Sequence, residues 1–91
     1  MKKADFYDHL KTNVYYLTGL RREAWYKDGG DIVVQTSNRL VAVRFNRNHV
    51  MLYTKVDGEK SETVSTDYNY YYRDNMVTLT AEKIYKFLTV K

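Results

Sequence analysis

Arg39-Leu-Val-Ala-Val-Arg-Phe-Asn46 is the stretch on which the fold turns. Extended chain sends successive side chains to opposite faces, so Val41, Val43 and Phe45 share one face and Leu40, Ala42, Arg44 and Asn46 the other. A second strand-like run, Val50-Met-Leu-Tyr-Thr-Lys-Val56, follows a polar, basic turn, Asn46-Arg-Asn-His49. Together the two runs predict the central hairpin of an antiparallel sheet. In the second run Val50, Leu52, Thr54 and Val56 form one row, and Met51, Tyr53 and Lys55 form the other. The bulkier apolar rows belong against helices, which leaves Arg44, Tyr53 and Lys55 on the far face, with Arg47 and His49 at one sheet end.

Upstream, Phe6, Leu10, Val14 and Leu17 recur every three or four residues between Ala4 and Leu17, the stripe of an amphipathic helix. Asp5 and Asp8 are placed in its first turn, where the helix dipole favours negative charge, and Gly19 is its expected stop. Asp28-Gly29-Gly30 is a turn signal between two further extended segments, Ala24–Lys27 and Asp31–Thr36, although the first could also continue the helix. Trp25, the only tryptophan, is expected to anchor the edge of the core.

Downstream, Asp57-Gly58-Glu59-Lys60 is a turn and Glu62–Thr66 a short strand, polar on both faces and therefore expected at an edge or partly exposed. In Asp67-Tyr-Asn-Tyr-Tyr-Tyr-Arg-Asp-Asn75, Tyr68, Tyr70 and Tyr72 share strand parity. Arg73-Asp74-Asn75 is read as a turn into Met76–Leu79. Thr80 is read as the N-cap of a closing helix whose apolar side is Ile84, Phe87 and Leu88. The expected architecture is one α+β domain spanning residues 1–91. It has an N-terminal helix, an antiparallel meander of four to six strands and a C-terminal helix, with both helices on one sheet face. The other face is left open, as antiparallel sheets allow.

Composition bounds the function. Forty-four per cent apolar and 29% charged residues describe a soluble globular chain, with no apolar run long enough to span a bilayer and no secretory signal, so a cytoplasmic home is expected. The absence of cysteine removes disulfides, thiolate nucleophiles and cysteine-based zinc sites. No motif calls for a cofactor. Asp5, Asp8 and His9 lack the further ligand that a metal site needs. A net charge of +4 permits a polyanionic partner without requiring one.

The one constellation with chemistry is on the open face: Arg44, Tyr53 and Lys55, the turn residues Arg47 and His49, and the tyrosines Tyr68, Tyr70 and Tyr72. Tyrosine and arginine are enriched at interface hot spots, and no catalytic set is evident. The expected function is therefore a stoichiometric, non-enzymatic binding protein, monomeric or homodimeric, acting on a protein partner. A Tyr-rich, proline-free composition suits an AT-rich mobile genome, which extends this to a phage- or mobile-element-type inhibitor of a nucleic-acid-handling host complex, anti-CRISPR proteins being examples. Two alternatives use the same residues. Cations and stacked rings also bind single-stranded RNA or DNA. A ribonuclease toxin could use His49 for proton transfer and Arg44, Arg47 or Lys55 for charge stabilisation.

Overall fold

The computed structural model describes residues 2–46, 49–58, 62–66 and 73–89, without the side chains of residues 46, 49, 62–66 and 73–75. Helix α1 (Lys3–Thr18) is followed by a single 3-10 turn (Arg22–Ala24) and five strands: β1 (Trp25–Asp28), β2 (Asp31–Gln35), β3 (Arg39–Asn46), β4 (His49–Val56) and β5 (Glu62–Thr66). Helix α2 (Arg73–Thr89) closes the chain. The strands pair antiparallel in strict chain order, β1-β2-β3-β4-β5, with β3 central. Ala24 thus ends the 3-10 turn and the first hairpin begins at Trp25, turning through Gly29 at φ 62°.

The alternation read in β3 and β4 holds at the described positions. Val41, Val43 and Phe45, with Val50, Leu52 and Thr54, are buried, while Arg44 and Lys55 are exposed. Ile32 and Val34 of β2 and Trp25 of β1 continue the buried row. Both helices pack on this face: Phe6, Tyr7, Leu10 and Val14 of α1 and Met76, Val77, Ala81 and Ile84 of α2 join the strand residues in one core. Trp25 anchors the edge of that core, as expected, and uses its bulk to do so. Its enclosed indole N–H has no acceptor among the described residues.

Three local expectations are corrected. The segment Met76–Leu79 is helical, and Thr80 is a buried mid-helix residue whose hydroxyl donates to the Met76 carbonyl at 2.6 Å. Threonine does this inside helices as readily as it caps them, so its hydroxyl alone marks no boundary. The spacing that wins is Met76, Thr80 and Ile84, with Val77 and Ala81 beside them, a helical stripe that the sheet needs as cover. In α1, Tyr7 takes the place in the core expected of Leu17, which is exposed. Asp5 is in the first turn as read, whereas Asp8 lies beyond it and pairs with Arg22 of the 3-10 turn. Gly19 ends the helix in the left-handed region at φ 78°, its N–H bonded to the Tyr15 carbonyl.

Arg39 ties α2 to the sheet. Its guanidinium donates to the Phe87 carbonyl at 3.0 Å and lies 4.9 Å from the Phe87 ring centroid, placing a cation at the negative end of the helix dipole. Arg39→Ala should cost about 1 kcal/mol, lowering the melting temperature by about 4–8 °C in a domain of this size. Thermal unfolding followed by circular dichroism checks this; an unchanged midpoint would mean that the contact contributes nothing. Among the described residues no helix is long and apolar enough to cross a membrane.

Candidate docking face

The open face is a strip of cross-strand rows. One row crosses the sheet as Tyr26, Val33, Ala42, Tyr53 and Thr63, each opposite the next in register. Leu40 stands opposite Lys55 on one side of it, and Arg44 opposite Met51 on the other. Val33 is only 2% exposed although it lies outside the helix-covered core, so its neighbours close around it. The face thus has a dry centre at Val33, flanked by half-buried Ala42, by Tyr26, which is 46% exposed, and by half-buried Tyr53, with half-buried Leu40 and Met51 to the sides.

Arg44 is pinned in place. Its Nε donates to Asp31 Oδ1 at 2.8 Å and its Nη2 to Asp31 Oδ2 at 3.2 Å, the two-pronged geometry in which a guanidinium matches a carboxylate. Nη1 donates to the Tyr53 hydroxyl at 3.2 Å, and the guanidinium carbon lies 5.1 Å from that ring's centroid. The hydrogen bond to Asp31, with its charge, raises the Arg44 pKa further and keeps the group charged. On the other edge of the row, the Tyr26 hydroxyl donates to Gln35 Oε1 at 3.3 Å.

No family model matches this chain, and no curated protein or solved structure matches it. What the face can do is therefore read from its own geometry.

Of the residues singled out in the sequence, the fold joins Arg44 to Tyr53 and puts Lys55 on the same face. His49 opens β4 opposite Asn46; its side chain, with Arg47, Tyr68, Tyr70 and Tyr72, lies outside the described residues. Tyr26, Asp31, Val33, Leu40 and Met51 were not singled out. Asp31 comes opposite Arg44 only once the β2–β3 register is known, by extending it one place from Ile32 and Val43. Charge follows from that pairing. Asp28, Asp31, Arg44 and Lys55 are the charged positions of the face among the described residues, two of each sign.

Proposed function

We propose that the chain is a cytoplasmic, non-enzymatic binding protein that docks a protein partner through the open sheet face. The observation that carries this reading is Arg44, held by Asp31 and Tyr53 on the same face as the dry centre at Val33. A side chain already fixed loses little rotamer freedom on binding, and an apolar centre rimmed by Tyr and Arg is the anatomy of a protein interface. Phosphate binding is disfavoured at this place. A phosphate would have to displace a carboxylate from Arg44 and then lie beside it, and the balanced charge of the face among the described residues leaves few counterions to release. Within this proposal the partner belongs to a nucleic-acid-handling host complex and the protein is a stoichiometric inhibitor or regulator carried by a phage or mobile element, whose AT-rich genome the Tyr-rich, proline-free composition suits.

The test is capture of a partner from host lysate by the immobilised protein and by Tyr26→Ala and Tyr53→Ala variants, with labelled single-stranded RNA and DNA titrated in parallel. Truncating a central tyrosine should weaken retention of the captured protein about tenfold or more. Retention unchanged in the double variant removes the docking face, and nucleic-acid binding that depends on Tyr53 and Lys55 replaces the protein partner by a polyanion.

A further inference from the structure

Among the described residues the open sheet face is balanced in charge, so their excess of lysine and arginine lies elsewhere. A groove of about 470 Å³ runs between the N-terminal half of α1 and the β1–β2 hairpin. Lys3 and Lys11 line it from one side of α1, Lys27 lines it from β1, and the Gly29-Gly30 turn forms one end. Lys3, Tyr7 and Lys11 are spaced by four residues and so stand one above another on the helix. Lys27 pairs with Ile32 and therefore has the parity of the helix-covered row.

Two carboxylates also line this groove, but each is committed elsewhere: Asp8 pairs with Arg22, and Asp31 with Arg44. Lys3, Lys11 and Lys27 make no ion pair among the described residues. Three ammonium groups thus share a concave site with two carboxylates that each face an arginine as well, and Lys11 is half-buried there. Repulsion among them is unfavourable unless an anion joins them.

Gly30 adds a second, separate observation. Its φ is outside the left-handed region, so its backbone would accept a side chain. A Cβ built on it would stand 2.8 Å from Lys3 Nζ, so the missing side chain is what lets the ammonium settle against the turn. Lys3 is held there also by the Tyr7 ring, 5.7 Å from centroid to Nζ.

We infer that this groove is a binding site for an oligophosphate group. Lysines at positions 3 and 11 are anchored about 12 Å apart along the helix, a span suited to several linked phosphates. The lining presents no exposed aromatic ring on which a base could stack, so recognition is by charge. The phosphates belong either to a free oligophosphate or to a nucleic-acid backbone. This site adjoins the proposed docking face at Asp31, and the three lysines that define it lie outside that face.

The experiment is a titration of the full chain with inorganic tripolyphosphate, and separately with a single-stranded oligonucleotide, followed by amide chemical shifts. Tripolyphosphate should move the amides of residues 3–11 and 27–31 saturably, and binding should weaken log-linearly between about 50 and 200 mM salt. Lys11→Gln should weaken it about tenfold, the loss expected for one charged contact. Gly30→Ala should weaken it too while the melting temperature is kept, because only the tip of Lys3 must move. Lys86→Gln, which removes one charge on α2, should change affinity by less than about twofold. Binding of tripolyphosphate alone identifies a free oligophosphate as the source, and an oligonucleotide perturbing the same amides identifies a nucleic-acid backbone. The inference is overturned if neither ligand moves these amides, or if Lys11→Gln and Lys86→Gln weaken binding equally.

Discussion

Phe6→Ala is expected to lower the melting temperature by about 15–30 °C and to leave a measurable unfolded population at 37 °C. Phe6 is fully enclosed, and its ring stacks on Phe45 with centroids 4.6 Å apart and planes 18° from parallel. It also meets Tyr7 at 6.1 Å, tilted by 59°. Truncation removes the transfer energy of the ring, the aromatic contacts and the packing around the space left behind, together about 3–5 kcal/mol. A domain of this length has roughly 5–15 kcal/mol in total, so one ring is a large share. A two-helix layer on one sheet face has no second core to compensate. Phe6→Leu, which keeps much of the volume, should lose less than half as much. Circular dichroism on heating decides it: a shift below about 5 °C for Phe6→Ala would falsify the central place given to this ring.

The second large effect is expected from a single oxygen atom. The Tyr7 hydroxyl donates to the Gly30 carbonyl at 2.8 Å, accepts the Phe45 N–H at 3.1 Å, and lies 3.2 Å from the Val43 carbonyl. Extending the β2–β3 register by two places from Ile32 and Val43 sets Gly30 opposite Phe45. The hydroxyl therefore sits where β2 and β3 have parted, and bridges a donor and an acceptor that would otherwise be left over. Tyr7→Phe keeps the ring and strands the Phe45 N–H, at a cost of about 1–3 kcal/mol, or roughly 5–15 °C.

The same hydroxyl carries a pH signature. Burial raises the Tyr7 pKa above the ordinary tyrosine value and the nearby Asp31 charge adds to this, while the Phe45 N–H and Arg44 act in the opposite direction. The folded state thus favours the protonated hydroxyl. Its contribution is fully present below about pH 10, the value in the unfolded chain, and is lost as pH rises through the higher folded value. Stability of the parent should therefore fall faster above pH 10 than that of Tyr7→Phe, as measured by denaturant melts across that range. Parallel curves for the two proteins would show that the hydroxyl is not held in its protonated form.

Much of this fold was legible because β3 and β4 alternate without a break, so one choice of buried row assigned Val41 through Val56. The helix α1 was legible for the same reason at a different period. What escaped has physical causes. Tyr7 was hidden because its value lies in one hydroxyl meeting backbone groups of the β1–β2 turn and of β3, which no local period encodes. The start of α2 was hidden because Thr80 looks alike as a cap and as a mid-helix residue. For the candidate face, Arg44, Tyr53 and Lys55 followed from parity alone. The neutralising role of Asp31 and the closed centre at Val33 needed the β2–β3 register, and that depends on a turn whose pairing is a tertiary fact.

The strand order has one more consequence. Because each strand pairs only with its neighbours in the chain, the sheet can grow hairpin by hairpin with short loop closures. The slow event is then the meeting of α1 and α2, which come from the two ends of the chain and must find the same face. Folding should thus divide into rapid local zippering and a later docking of the helix pair, and the barrier lies with the layer that is farthest apart in sequence.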